Sequence, residues 1–374
     1  MRSRLMRWLV CPICTGELNL VASAENAARP AVKDDEVDFG ALTCGACAVY
    51  YPIWRGVPRM LTYRTQVASA HRESAPDWIA ANLQGFNLPD REPPFGELRV
   101  LRNFSTEWLG YEWTGKRYWN VTVEQMLKGK RYELGVAPGD LKQKLLLEVG
   151  IGIGGTADAL SRAEDCEVVG MDLGYAVDQA YRYFGGNSRL HIVQASVFAL
   201  PFRSNSFDMV YSHGVLHHTY STVKAFTGLT TLPKTGGGLL YVWLYSHEQE
   251  KATLLRRALM MIETVVRPVV SNLPSALQTA LLMPALPFYV LYQNFYGRRH
   301  LGKEQGARYG WNEALHAARD RLTPPFAFRH TYDEVVNWYQ SNGYTVVRQL
   351  RYEPVPNGVS ESYALNVGVE GRRQ

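Results

Sequence analysis

The sequence predicts an α/β fold built on a parallel sheet covered on both faces, with a small metal-stapled unit ahead of it. Three observations predict it. Residues 145–159 read L-L-L-E-V-G-I-G-I-G-G-T-A-D-A. The apolar run there suits a strand buried on both sides, and it stops at Gly150, Gly152, Gly154 and Gly155 before Thr156 opens a helix. Short apolar strands then recur at 166–172 and 190–195, separated by a helical stretch at 176–184. Finally, four of the five cysteines fall into two C-x-x-C pairs, Cys11/Cys14 and Cys44/Cys47. A chain of 374 residues, 46% hydrophobic, is long enough for one large domain and a smaller one.

The formal charge of +5 is mild, and no lysine–arginine block calls for nucleic acid. No run of about 18 apolar residues predicts a membrane-spanning helix. The basic start at residues 1–8 is interrupted by Cys11-Pro12 before any signal core. Paired knuckles point to metal and a reducing compartment rather than to disulfides, hence to the cytoplasm. Each knuckle supplies two thiolates to one tetrahedral zinc, and small Gly45 and Ala46 let the backbone fold tightly round it. Four cysteines leave no open position on the metal, so the expected role is structural. The charged part of the spacer, residues 33–38, reads as a solvated loop.

The glycine turn lets a ligand approach bare backbone at a helix N-terminus. A dinucleotide fingerprint looks similar, but Glu148 lies two residues before the first glycine. A carboxylate aimed at the ligand would repel a pyrophosphate and suits a cationic amino-acid group. The spacing E-x-G-x-G-x-G resembles motif I of the class I S-adenosylmethionine (SAM) methyltransferases, with a type 11-like domain. Further segments resemble that family in order. Asp172 ends the second strand, where an acid accepts hydrogen bonds from ribose hydroxyls. Residues 196–202, S-V-F-A-L-P-F, resemble its "G-D-A-x-x-L-P-F", with Ser196 where an acid usually meets the adenine amino group. Residues 205–212 resemble the fourth-strand motif, 213–219 match "G-V-L-H-H-T" closely, and 233–243 resemble the "P-G-G" turn and fifth strand. The resemblance implies a Rossmann-like seven-stranded SAM methyltransferase domain. It places Glu148, Gly150, Gly152, Gly154, Asp172, Leu173, Ser196, Val197 and Ser212 at the cofactor.

Residues 50–61, Y-Y-P-I-W-R-G-V-P-R-M-L, resemble the "Y-P-I-x-x-G-I-P-x-L" signature of a small zinc-ribbon family, with Val57 in place of isoleucine. That family is related to the activator subunit of tRNA and translation-factor methyltransferases. It implies that Cys11, Cys14, Cys44 and Cys47 hold a structural zinc that supplies much of the ribbon's folding free energy. The expected division is a zinc ribbon at 1–61, a linker and aromatic-rich cap at 62–140, and the methyltransferase domain at 141–374. Pro89, Pro93 and Pro94 predict an extended or wrapping loop. Trp108, Tyr111, Trp113, Tyr118 and Trp119 mostly suit core packing, yet Gly110 to Trp113 resembles a segment near the cofactor mouth of ribbon-fused bacterial enzymes.

A helical insert at 246–322 follows the fifth strand. Its first helix is expected at 252–266 with Arg256 and Arg257 on a polar face. Residues 268–297 carry no charge, and Pro268, Pro274, Pro284 and Pro287 are expected to break them into short helices. This stretch reads either as ordinary buried helices or as an apolar substrate lid able to touch a membrane surface, since Arg298, Arg299 and His300 follow. Thr331 is expected to cap a helix, with Glu334 completing a capping box. Residues 345–350 and 362–369 are expected to pair as the last strands. Arg329 and His330 are candidates to face the substrate.

Transfer of a sulfonium methyl is an in-line displacement, so the protein must align the partners and exclude water. A hydroxyl acceptor also loses a proton, which suits histidine, whose unperturbed pKa is about 6.5. His217, His218 and His213 follow the fourth strand and are the candidate catalytic residues. The leading reading is SAM-dependent methylation of a small, apolar or aromatic molecule in specialised or lipid-related metabolism. Alternatives are a tRNA or protein methyltransferase with the ribbon as docking module, a SAM-fold protein with another reaction such as cyclisation or a scaffold role, and, at a distance, an oxidoreductase. The sequence leaves the substrate, the accepting atom and the oligomeric state open.

Overall fold

The computed structural model describes residues 1–23, 36–113, 117–118, 121–247, 254–300, 310–360 and 363–374. Residues 33–35 of the expected charged loop, Trp119 and Ser362 lie outside the described residues, as do the side chains of Tyr118, Arg256, Arg257, Arg298, Arg299 and His300.

The N-terminal unit is a four-stranded antiparallel sheet in the order β1 (Asn19–Ala22), β2 (Phe39–Cys44), β3 (Val49–Trp54), β4 (Val57–Pro58). Cys44 ends β2, so the turn into β3 carries the second knuckle. The β3–β4 turn needs left-handed backbone at Gly56, φ +76°. A side chain there would strike the Tyr181 ring at 2.1 Å, so glycine serves both the turn and the approach to the larger unit.

Helices α1 (Gln66–Ser74), α2 (Pro76–Asn82) and α3 (Glu97–Leu109) follow. Between α2 and α3 the proline-bearing stretch runs without regular structure from residue 88 to 94. A two-stranded ladder of β5 (Arg117–Tyr118) and β6 (Val121–Thr122) leads into α4 (Val123–Leu134), which Thr122 and Gln125 start with a capping box.

The large sheet takes β7 (Leu145–Val149), β8 (Glu167–Asp172), β9 (Leu190–Gln194), β10 (Met209–His213) and β11 (Leu239–Leu244), all parallel where they pair. Between them lie α5 (Gly155–Glu164), α6 (Ala176–Phe184) and α7 (Thr222–Leu229). The insert follows β11 as α8 (Leu254–Val270), α9 (Ser275–Leu282), α10 (Leu286–His300) and α11 (Trp311–Leu322). The chain ends with α12 (Tyr332–Ser341), β12 (Tyr344–Gln349) and β13 (Val367–Arg373). Strand order is β12-β13-β11-β10-β7-β8-β9, seven strands with β13 antiparallel to both neighbours. β7 starts the crossover in one direction and β10 lies on its other side, so the glycine turn sits at the point where strand order reverses.

The two units share one core. Leu5, Leu9, Leu42, Tyr51 and Met60 of the ribbon cluster with Val193, Phe202 and Phe207 of the large domain. The ribbon's exit continues the sheet: Arg59 bridges Gln194 in parallel, and the Met60 N–H donates to the Gln194 carbonyl at 2.8 Å. This covers the β9 edge, which would otherwise offer unpaired backbone groups.

Three local expectations need correction. Pro268 lies inside α8 rather than ending it. It sits near the helix C-terminus, where the Asn272 amide donates to its carbonyl at 2.7 Å and little helix remains to disrupt. Thr331 does cap α12, accepting from the Glu334 N–H at 3.1 Å. However, the Glu334 carboxylate turns to His330 Nδ1, 3.1 Å away, instead of closing a capping box. The last strand begins at Val367, because residues after 362 first form a turn. Among the described residues, no helix is long and apolar enough to cross a membrane.

Candidate cofactor site and metal centre

The strand residue Glu148 is carried to the end of β7, buried, with its Oε2 lacking any hydrogen-bond partner. Burial pushes its carboxyl up to about 7. Directly after it the chain takes left-handed backbone at Gly150, Gly152 and Gly154. At Gly150 a Cβ would lie 2.1 Å from Val215 Cγ2, so only glycine admits the loop that follows β10. Asp172, at the end of β8, accepts from the Gly152 N–H at 3.0 Å and the Gly174 N–H at 2.8 Å, which fixes its carboxylate beside the turn. Burial raises its pKa while those backbone donors lower it.

An orphaned buried carboxylate oxygen beside a glycine cradle fits a ligand with a cationic head and a hydroxylated body, as SAM has. Leu173 is partly buried against Leu61, Tyr63 and Leu101, and its carbonyl accepts from Gln194 Nε2 at 2.9 Å. Val197 is partly buried, and Ser212 is buried with its hydroxyl on the Val149 carbonyl at 3.3 Å. Two aromatics, Trp108 in the last turn of α3 and Trp113 just after that helix, cover the turn. The Trp108 ring lies 3.4 Å from where a Gly152 Cβ would stand, and Trp113 lies 3.0 Å from that of Gly155.

Ser196 has an unforeseen partner. Its hydroxyl donates to Glu97 Oε2 at 2.6 Å, and Glu97 Oε1 accepts from the Tyr63 hydroxyl at 2.8 Å. Glu97 opens α3 and is buried, which raises its pKa against the two hydroxyl donors. No motif marks Glu97; the only sequence signal is the acid missing at position 196.

The three histidines differ sharply. His213 ends β10 with its side chain 34% exposed, stacked on Trp243 at 4.3 Å and bonded through Nδ1 to Glu133. Glu133, on α4, is fully buried and also holds Lys130 Nζ at 2.6 Å. Burial acts to raise the Glu133 pKa, but His213 and Lys130 outweigh it and hold it down to about 2. Neither Glu133 nor Lys130 belongs to any motif. His217 is fully buried, its ring centroid lies 3.9 Å from that of Tyr245 with the rings tilted, and neither ring nitrogen has a hydrogen-bond partner among the described residues. Burial drives its pKa well down. His218, also buried, donates from Nδ1 to the Phe326 carbonyl at 2.8 Å, leaving Nε2 unpartnered. Arg329 and His330 are both engaged by protein: Arg329 with Glu263 at 3.4 Å, His330 with Thr222 at 3.0 Å and Glu334.

At the other end of the chain, the sulfurs of Cys11, Cys14, Cys44 and Cys47 all lie within 4.8 Å of one another. Tetrahedral zinc with bonds of about 2.3 Å sets sulfurs roughly 3.8 Å apart. The Cys14–Cys44 distance of 3.6 Å and the Cys11–Cys47 distance of 4.0 Å match that. Tyr51 places its hydroxyl 3.2 Å from Cys11 Sγ, a donor for the thiolate. The donor set fits structural zinc, because four thiolates fill a tetrahedral site and leave no position for water or substrate.

Residues 147–241 match the methyltransferase domain family, and residues 2–56 match the Trm112p-like protein family. Residues 147–241 thus carry a methyltransferase domain within the seven-stranded sheet. Ahead of it the same chain carries a Trm112p-like zinc ribbon. Sterol 24-C-methyltransferase ERG6B of Gibberella zeae is 28% identical over 135 residues, 35% of this chain and 34% of that protein. Sterol 24-C-methyltransferase ERG6 of Saccharomyces cerevisiae is 26% identical over 125 residues, 32% of each. The chain spans about a third of the length of these relatives. Among solved structures, the Haloferax volcanii Trm112 methyltransferase activator in complex with a methyltransferase is 14% identical, covering 67% of this chain and 90% of that one, with a TM-score of 0.39. Magnesium protoporphyrin IX methyltransferase of Synechocystis PCC 6803 with bound SAM is 13% identical, covering 76% and 100%, with a TM-score of 0.42.

Proposed function

We propose that this protein transfers the methyl group of SAM to a small, largely apolar acceptor. The observation that carries the reading is the buried Glu148 carboxylate at the glycine turn, whose Oε2 has no hydrogen-bond partner among the described residues. SAM, when bound, supplies an electrophilic methyl on a sulfonium. Glu148 would hold its cationic amino-acid end, Asp172 its ribose hydroxyls, and Glu97 with Ser196 its adenine amino group. Glu97 in this way takes the part of the acid that position 196 lacks.

His213 is the residue we assign as general base. It is the one of the three with both a solvent-reachable ring and a carboxylate partner. Glu133 fixes the tautomer: Nδ1–H points at Glu133, which leaves Nε2 to accept the acceptor's proton. Glu133 is therefore a positioning residue. His217 and His218 pack the loop beneath, and Trp108 with Trp113 keeps water from the turn. An apolar acceptor is supported by the sterol methyltransferases among the relatives.

Calorimetry with S-adenosylhomocysteine, followed by a product search in a lipid extract with labelled SAM, tests the reading. Binding of the nucleoside and label in an organic-soluble product are expected. No heat with either nucleoside would overturn the assignment.

A further inference from the structure

The insert packs Leu282 and Leu286 on α11 yet presents a second, broad apolar face outward. In α8 the polar side chains Glu263 and Arg267 face the protein, where Glu263 is buried and paired with Arg321 at 2.5 Å, Arg329 at 3.4 Å and Arg267 at 3.8 Å. Met261, Val265 and Val269, spaced by four, face outward and are 65–74% exposed. In α9, Gln278 is buried and donates to the Val270 carbonyl at 3.1 Å, while Leu277 and Leu281 are exposed. In α10, Leu286 is buried against α11, while Phe288, Leu291 and Phe295 are 66–75% exposed. All three helices pack against α11, so these outward side chains lie on the side away from it.

Scattered exposed apolar residues need no explanation, but a whole three-helix face does. Burying glutamate, arginine and glutamine while presenting leucine and phenylalanine inverts the pattern that water selects. The medium facing these helices is therefore apolar. The charge of the segment says which medium. Across residues 254–300 the sequence has one acidic residue, Glu263, which is buried in ion pairs that include Arg267, against Arg256, Arg257, Arg298 and Arg299. An apolar face on a basic segment complements an anionic bilayer surface, where acyl chains take the leucines and headgroups take the cations.

We infer that α8, α9 and α10 seat the protein on an anionic lipid surface, with its outward leucine, valine and phenylalanine side chains entering the headgroup boundary. The helices lie in the interface and do not cross it, in keeping with their length and the prolines between them.

The test is co-sedimentation of the full chain with vesicles of phosphatidylcholine alone and of phosphatidylcholine with phosphatidylglycerol. Wild type and a Val265→Ser, Leu281→Ser, Phe288→Ser variant are compared. Because all three side chains are exposed, the variant keeps its fold, which zinc content and thermal unfolding verify. Expected is binding to the anionic vesicles, weaker binding to the neutral ones, and a loss of at least about tenfold in the variant. Three results would overturn the proposal. One is no binding of folded wild type to either vesicle. Another is binding that high salt abolishes but the serine variant retains, which marks charge alone. The third is a concentration-dependent dimer that the same substitutions dissolve without changing vesicle binding, which assigns the face to a second copy. None of these outcomes depends on nucleoside binding, so this inference and the proposed activity stand or fall separately.

Discussion

The chemistry of single residues centres on Glu148 and Glu97. A carboxyl that burial raises to about 7 is protonated below that pH. A cationic ligand must displace the proton, so affinity is complete above pH 7 and falls by up to about tenfold per unit below it. Titration calorimetry of S-adenosylhomocysteine at several pH values, in buffers of different ionisation enthalpy, should show proton release near neutrality. In Glu148→Gln the release should vanish along with most of the affinity; an unchanged release would clear Glu148 of the role. In the ligand-free protein the same raised group works the other way. It favours the fold fully below its unfolded value, and the benefit is lost as pH rises towards 7. Glu97 calls for a different probe. Its proposed contact is with the 6-amino group, which the inosine analogue of S-adenosylhomocysteine replaces by an oxygen acceptor. Wild type should prefer the adenosine form, and Glu97→Gln should shrink that preference by about tenfold while a structural role would weaken both forms alike. Glu148 was legible because it stands inside a spaced motif. Glu97 was not, since it is about a hundred positions from Ser196 in sequence and meets it only through the packing of α3.

At the scale of elements, sequence periodicity captured what local chemistry decides. The extents of β7 and α6 follow the apolar pattern to the residue, and Thr331 caps α12 as its hydroxyl predicts. What pattern alone cannot give is which helix lies over which strand. That is why α4 escaped notice: its Glu133 is an ordinary helical glutamate until α4 packs beside β10 and buries it with His213. The pairing has a kinetic signature. Glu133→Gln keeps the shape but removes the negative charge beside His213 Nδ1. It should lower kcat by about 10²-fold with little change in KM for either substrate. His213→Gln should match it, and the double variant should be no worse than the single ones. A loss confined to KM, or additive losses, would assign the pair to binding or to stability. The Glu133 contribution to the fold is complete above pH 4.5 and is lost as pH falls through about 2, so these assays near neutrality do not sample it.

The whole molecule poses the question of what the ribbon is for. Its sequence announces zinc but says nothing of where it docks, because docking depends on contacts between residues more than a hundred positions apart. In the structure its exit strand extends the β9 edge, Gly56 admits Tyr181, and buried Arg59 pairs with Asp178 of α6 at 2.6 Å. Met60 and Tyr63 thus reach the elements that carry Ser196 and Glu97, so the segment leaving the ribbon would form part of the wall of the proposed cofactor site. A small sheet with so little core of its own holds this position only while four thiolates share a metal. Removing zinc should therefore loosen both units together. With a strong chelator, calorimetry should show one unfolding transition moved down by roughly 10 °C or more, and affinity for S-adenosylhomocysteine should fall in step with zinc content. Two transitions, with the upper one and nucleoside binding unaltered, would instead make the ribbon a passenger beside an independent domain.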